Sequence, residues 1–383
     1  MMNPYMETQA VLPKVKKINV LHLLSSFGSG GIERLMVDMV KAIPAGGPGI
    51  DITVAVMNSF VDEALKSELM KYCSRVYFLN RQQGHFSLKY FVEIFKVIRK
   101  HNIKILHAHN YGSKIWASVF RLMLPGVRLF FTTHDTLFKL RGINKVSLFL
   151  HRYVADCNIA VSGAVLELIK GYRFKNPCLI YNGIDLDKFK PADEPFRQIE
   201  SPIRSINVAR VEHAVKGQDI LLKAIKLLAD RGCSISCTFA GPADGRFRES
   251  CGYLSQLAEE LGLAGQITFL GNREDIPDLL QKHDVFVLPS RYEGLGLSIL
   301  EAMASGVPVV ASNLDGPSEL IRPGINGLLF ESGNAEDLAQ KIHELYSSPT
   351  LQEHIRKNGI EFVRNFDIIY MCRKYEEIYR SSI

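Results

Sequence analysis

Pro289-Ser-Arg-Tyr-Glu293-Gly-Leu-Gly296-Leu-Ser-Ile-Leu-Glu301-Ala-Met-Ala-Ser-Gly306-Val-Pro308 is the stretch whose reading decides the fold. The apolar run before it, Val285 to Leu288, has the length and composition of a buried strand. After Gly296 the spacing of Leu297, Leu300 and Ala304 becomes helical. Gly306 stops that helix, Pro308 prevents its return, and Val307 to Ala311 reads as the next strand. A strand, a Gly-containing loop, a helix and a strand place a helix N-terminus at the carboxyl edge of a parallel sheet, where anions bind. Glu293 precedes the helix and Glu301 lies about two turns further on. Acids flanking an anion-binding turn suit a ligand that carries both phosphate and hydroxyl groups, as a nucleotide sugar does.

Outward from this unit, 383 residues imply two domains rather than one. The composition is globular, 47% apolar and 22% charged. The nearest approach to a membrane span, Ile115 to Phe131, is interrupted by Arg121, Pro125 and Arg128. The N-terminus lacks the apolar core of a signal peptide, and residues 1–14 read as a loose leader. Seven cysteines without a C-x-x-C pair imply reduced thiols in the cytosol and no zinc site. Charge is unevenly spread. Residues 1–200 hold 27 Lys and Arg against 16 Asp and Glu, and residues 81–152 hold 13 basic against two acidic residues, Glu93 and Asp135. Apolar residues interleave with these charges, so the block is a solvated face or a surface that meets anionic lipid headgroups. No motif for nucleic acid accompanies it.

In chain order, Lys17 to Leu24 reads as a strand, followed by Gly28-Ser-Gly30-Gly31-Ile-Glu33 and a helix from about Ile32 to Ile43. The Gly run is not G-x-G-x-x-G, so a dinucleotide site is rejected, but three glycines in four positions favour close approach of a ligand. Strands ending near His107-Ala-His109-Asn110 and at Thr133-His134 bring histidines to one sheet edge. A metal reading of His107 and His109 finds no third ligand in the sequence. Asp185-Leu-Asp187 follows a tight turn and reads as structural; Lys190 to Pro202 reads as a linker. A second series of alternating strands and helices then begins at Ser205. The fold expected is α/β: two doubly wound Rossmann-like domains facing across a cleft, 1–190 (with 366–383 returning to it) and 203–365.

At this point the chain resembles the retaining glycosyltransferases of the two-Rossmann-domain (GT-B) type, family 4. The marker is Glu293-x7-Glu301 in the context E-G-L-G-L-S-I-L-E-A-M-A-S-G-V-P-V-V-A-S. Gly30-Gly31-Ile-Glu33, Asn182-Gly-Ile-Asp185 and Arg210 with Lys216-Gly217 support it over most of the chain. Gly241-Pro-Ala-Asp departs from the family in lacking a second Gly. The resemblance implies that Arg210 and Lys216 neutralise a donor diphosphate, and that Gly294, Leu295 and Gly296 offer it backbone N–H groups. It further implies that Glu301 takes the ribose hydroxyls, Glu293 the hydroxyls of the donor sugar, and Gly31 the phosphate from the opposite domain. His134 would meet the transferred sugar, and Asn272 and Arg273 would border the base.

The function expected is therefore transfer of a hexose or N-acetylhexosamine from a nucleotide sugar, UDP-linked by preference, to a lipid-linked saccharide. Surface polysaccharide or lipopolysaccharide assembly in bacteria is the setting, in the cytoplasm or peripherally on the inner face of the membrane. Neither metal nor cofactor is expected, because cationic side chains and a helix N-terminus supply the positive potential. His109 and Asn110 are acceptor-side candidates, as are the loops Phe60–Leu65, Gln82–Phe86 and Thr136–Asn144. The competing readings are a soluble acceptor, an inactive binding protein of the same fold, and a nucleotide-sugar epimerase.

Overall fold

The computed structural model describes residues 17–28, 30–43, 49–82, 87–134, 136, 142–192 and 198–383. The proposed leader, most of Gln82–Phe86 and of Thr136–Asn144, and the middle of the linker lie outside these residues. The first sheet is built from β1 (Ile18–Leu24), β2 (Ile50–Asn58), β3 (Val76–Arg81), β4 (Ile105–Ala108), β5 (Arg128–Thr133), β6 (Cys157–Ala160) and β7 (Pro177–Leu179). Its order is β3-β2-β1-β4-β5-β6-β7, and every pairing is parallel. The second is built from β8 (Ile203–Val208), β9 (Ile235–Ala240), β10 (Ile267–Gly271), β11 (Val285–Leu288), β12 (Val309–Ser312) and β13 (Leu328–Phe330). Its order is β10-β9-β8-β11-β12-β13, again all parallel. These are two doubly wound, Rossmann-like layers. Each strand read from the sequence is present, with ends displaced by no more than a few residues, because central strands buried on both faces are continuous apolar runs.

One reading of the sequence changes. The segment Phe60–Leu65 is not all loop: Asp62 accepts from the N–H groups of Ala64 and Leu65 and starts the helix Glu63–Tyr72. The apolar stretch Ile115 to Phe131 is a helix, Tyr111–Met123, followed by β5. Asp185 is structural, its carboxylate accepting from the N–H groups of Asp187 and Lys188. All seven cysteines are free thiols.

The last helix, Ile368–Arg380, crosses back to the first sheet. Its docking starts with a bridge between Ile184 and Asp367, in which Ile184 N–H donates to Phe366 O (2.8 Å) and Ile368 N–H to Ile184 O (2.9 Å). Met371, Cys372, Tyr375 and Tyr379 are then buried in one cluster with Val20, Ile105 and Phe130. The Tyr379 hydroxyl lies 2.5 Å from His107 Nδ1, and Thr132 Oγ1 is 2.6 Å from His107 Nε2. His107 is therefore satisfied on both nitrogens inside the core. Tyr379→Phe keeps the ring and strands a buried nitrogen, which costs about 1–3 kcal/mol. Chemical denaturation should show that loss; an unchanged midpoint would refute the role given to this hydroxyl.

Candidate active site

In a doubly wound sheet, ligands bind beyond the carboxyl ends of the strands where the winding reverses. The reversals fall between β1 and β4 in the first sheet and between β8 and β11 in the second. Most of the residues singled out from the sequence leave those same strands; His134 leaves β5, and Asn272 and Arg273 leave β10.

In the second sheet the loops after β8 and β11 are locked together. Gly217 has φ +67°, and a side chain there would strike the Pro289 carbonyl oxygen. That close approach lets Arg291 N–H donate to Val215 O at 2.8 Å. The Arg291 guanidinium forks onto Asp219 at 2.7 and 2.8 Å and also donates to His213 O. Held between these loops, Lys216 Nζ lies 2.6 Å from Glu293 Oε2, with 12% and 15% of the side chains exposed. Ser290 Oγ donates to the same carboxylate oxygen at 3.2 Å. Gly296, at φ +94°, turns the chain into the helix Leu297–Ala304, and as its N-cap has no side chain to occupy the first N–H groups. Arg210, on the rim, pairs with Glu212.

Glu301 faces the other domain. Burial pushes its carboxyl up to about 7, while Lys188 and Arg34 pull it down and Asp38 adds to the rise. Arg34 and Asp38 belong to the helix Gly31–Ala42, which follows β1. Asp38 is itself pushed up to about 6 and Glu33 to about 7, chiefly by burial; Arg246, from the second half, pulls Glu33 down. Among the described residues, no heavy atom lies near the position of a Cβ at Gly31. The structure thus brings Gly31, Glu301, Lys216, Glu293 and Gly294–Gly296 to the two facing edges. Asn272 and Arg273 stand apart at the end of β10, exposed, with Asn272 Nδ2 3.3 Å from Asp62 Oδ2 of the first domain and Arg273 paired with Asp275.

The first sheet supplies histidines. His134 Nε2 is 3.1 Å from His109 Nδ1, and His109 Nε2 is 3.0 Å from His22 Nδ1. His109 therefore has no ring nitrogen left for an acceptor. Asn110 Oδ1 accepts from Ser25 N–H at 3.0 Å, which ties the loop after β1 to that after β4. His22 is the third imidazole near His107 and His109 that the sequence did not single out. A lone polar residue inside the apolar run of β1 was the available signal. A cation there would have to displace hydrogen bonds already made: His22 Nδ1 and His109 Nε2 face each other edge to edge at 3.0 Å, and His107 is satisfied on both nitrogens. Buried Lys114 also went unnoticed, and its charge disfavours protonation of His107, His109 and His134.

The two halves also meet through Glu319, another residue that carried no motif. Its carboxylate accepts from Gly163 and Ala164 N–H, both at 2.7 Å, at the start of the helix Gly163–Gly171, and from the Tyr181 hydroxyl at 3.0 Å.

Stability should follow the histidines. Burial lowers His22 and His134 to about 3, His151 to about 2, and His107 and His109 well below the ordinary value. Their contribution is complete above the unfolded value near 6.5 and is lost as pH falls through it, because the unfolded chain binds those protons first. Glu33, Asp38 and Glu301 act oppositely, holding protons in the folded state between about 4 and 7, but they are fewer. The unliganded protein should melt at a lower temperature at pH 5 than at pH 7. A higher melting temperature at pH 5 would overturn the neutral assignment.

Comparison with known proteins agrees with this fold. Residues 29–188 match Glycosyltransferase Family 4 and residues 190–362 match Glycosyl transferases group 1. The chain is 23% identical over 386 residues to the UDP-Gal:alpha-D-GlcNAc-diphosphoundecaprenol alpha-1,3-galactosyltransferase of Escherichia coli, covering 96% of each. It is 27% identical to the N,N'-diacetylbacillosaminyl-diphospho-undecaprenol alpha-1,3-N-acetylgalactosaminyltransferase of Campylobacter jejuni, covering 76% of this chain and 81% of that one. The fold matches that of Anabaena HepE in complex with UDP-glucose at a TM-score of 0.82, with 23% identity over 96% of this chain and 100% of that one. The chain belongs to the glycosyltransferases of group 1 and family 4, enzymes of the two-Rossmann-domain (GT-B) type.

Proposed function

We propose that this enzyme is a retaining glycosyltransferase that moves a hexose or N-acetylhexosamine from a UDP-sugar to a lipid-linked saccharide. Bacterial surface polysaccharide or lipopolysaccharide synthesis, at the cytoplasmic face of the membrane, is the proposed setting. The observation that carries the reading is the Lys216–Glu293 pair at 2.6 Å, set beside the uncapped N-terminus of the helix that carries Glu301. A cation and free N–H groups suit a diphosphate whose charge grows as it leaves. Carboxylates that accept hydrogen bonds suit sugar and ribose hydroxyls. Gly31, open toward the cleft, leaves room for phosphate from the opposite domain, and His134 meets the transferred sugar. Asn272 and Arg273 border the base through their backbone, and Arg210 adds positive potential from the rim. The two curated relatives named above are transferases to undecaprenyl-diphosphate saccharides, and one is named for UDP-Gal.

Glu293 is held by Lys216 and Ser290, so it is a poor nucleophile, and front-face transfer is the mechanism proposed. The departing phosphate oxygen takes the acceptor hydroxyl proton as the new glycosidic bond forms on the face from which UDP leaves. The cationic groups of the protein carry the developing charge, with no resident metal proposed. The contact with lipid is proposed for the basic block. Among the described residues no helix is long and apolar enough to cross a membrane. Leu122 (68% exposed), Phe149 (55%) and Tyr153 (67%) protrude from neighbouring helical segments in and just after that block, a composition suited to an anionic interface.

Four measurements test this reading. A thermal-shift screen of UDP-, GDP- and ADP-sugars should single out a UDP-sugar, and NMR of the product on a prenyl-diphosphate saccharide should show the anomeric configuration of the donor; inversion refutes the mechanism, and transfer only to soluble sugars refutes the acceptor. Lys216→Ala should lower kcat/KM by about 100- to 1000-fold, and Glu301→Ala should chiefly raise the donor KM. Near-normal Lys216→Ala, or a Glu301→Ala effect confined to the acceptor, removes those assignments. Cosedimentation with anionic vesicles should be marked at low salt and weaken as salt rises; binding equal to that on neutral vesicles argues against the lipid surface.

A further inference from the structure

Behind His134 stands a row of imidazoles that the proposed chemistry does not use. His134 follows β5, His109 follows β4 and His22 lies within β1, so three strands of one sheet present their rings in sequence. The contacts run His134 Nε2 to His109 Nδ1 (3.1 Å) and His109 Nε2 to His22 Nδ1 (3.0 Å). Both lengths are those of ring N–H···N hydrogen bonds. The row ends at His22 Nε2, which is buried and takes no partner among the described residues. At the other end, His134 Nδ1 takes no partner among the described residues and is not among the sealed nitrogens.

A neutral imidazole has one N–H and one lone pair. Neutrality is supported here by burial and by Lys114, which both oppose protonation. A row of neutral rings can run in only two senses, since each ring that accepts on one nitrogen must donate from the other. If protons point toward His22, the row ends in a buried N–H with no acceptor. If they point toward His134, it ends in a buried lone pair with no donor. Orphaned buried N–H groups are the rarer of the two in folded proteins, and the acceptor-only ending is preferred on that ground. His22 Nδ1–H then donates to His109 Nε2, and His109 Nδ1–H donates to His134 Nε2. His134 is left with its own proton on Nδ1, at the open end.

We propose that His22 and His109 are positioning residues that fix the tautomer of His134, so that it presents an Nδ1–H donor to the cleft. The ligand class is a hydroxyl oxygen of the sugar in transfer, and that part rests on the proposed function. The position of His107 fits a supporting role. Its nitrogens are committed to Tyr379 and Thr132, and its ring stacks on His109 at 4.4 Å, which restrains the plane in which His109 can turn. The terminal helix thereby reaches the site, through Tyr379 and His107, without touching a ligand.

Ring 15N NMR on the unliganded wild type tests the tautomer without reference to activity. The expected spectrum has the His134 proton on Nδ1 and a pyridine-type Nε2; a proton on Nε2 overturns the proposal. Kinetics supply the second arm. An Asn amide nitrogen falls near the place of a His Nδ1, so His22→Asn keeps a donor toward His109 and His22→Leu does not. His22→Leu should lower kcat by about 10-fold, as loss of an orienting partner typically does, with the donor KM within about twofold and a mixed His134 tautomer in the NMR spectrum. His22→Asn should restore most of kcat and the single tautomer. Equal losses in both variants, or a His22→Leu enzyme with unchanged kcat, overturn the proposal. Should the protein prove to transfer no sugar, the tautomer measurement still decides the row of histidines by itself.

Discussion

Strand polarity is the constraint on which the rest depends. Every strand pair in both sheets is parallel, so each strand ends on the same edge as its neighbours and each loop that leaves there has one face of the molecule available to it. The winding reverses next to β1 and β8, and the loops that leave on either side of the reversal diverge and open a crevice. Residues far apart in sequence meet because of this: Lys216 with Glu293, Ser25 with Asn110, His22 with His109. The terminal helix, anchored at Ile184 and Asp367, adds Tyr375 and Tyr379 to the first core and ties the two halves covalently at a second place.

Much of this was legible in the sequence. The strands were, since a strand covered on both faces has to be apolar throughout, and β11 is Val-Phe-Val-Leu. The loop and helix from Pro289 to Ala304 were, because glycine and acid spacing is local. What depends on strand order was not. Nothing in Leu21-His22-Leu23 tells which strand will lie beside β1, and so nothing points His22 toward His109. Glu319 is a further case. It sits in a short helix of ordinary composition, and its role exists only because the start of the helix Gly163–Gly171, with the N–H groups of Gly163 and Ala164, comes within 2.7 Å of it. Helix starts governed by one capping side chain, such as Asp62, shift a loop by a few residues and escape periodicity.

The two edges handle polarity in opposite ways. At the edge of the second domain, charges are kept and paired: Lys216 with Glu293, Arg291 with Asp219. In the first, titratable rings are kept uncharged by burial, and their hydrogen bonds run from one ring to the next. A charged wall meets the requirements of a diphosphate, whose charge must be balanced. Lys114 already places one positive charge beside these rings, and neutral imidazoles add no second; in the proposed role that suits a sugar ring that gains positive character during transfer.

The Lys216–Glu293 pair bears on how the charged wall is ready before a ligand arrives. A lysine facing an empty cleft would be solvated and would sample many rotamers, and ordering it on binding would cost entropy. Pairing with Glu293, itself held by Ser290, fixes the ammonium within reach of the helix N-terminus. In the proposed role a diphosphate would draw the ammonium toward itself and leave the Glu293 carboxylate for hydroxyl groups of the sugar. Neither side chain then has to be brought in from water. The cost of breaking the pair is offset by two new contacts made by groups already in position, which is the sense in which a preorganised polar site stabilises developing charge. The constraint that makes this pairing available is again backbone deep: only with Gly217 pressed against the Pro289 carbonyl do the two loops lie close enough for the side chains to meet.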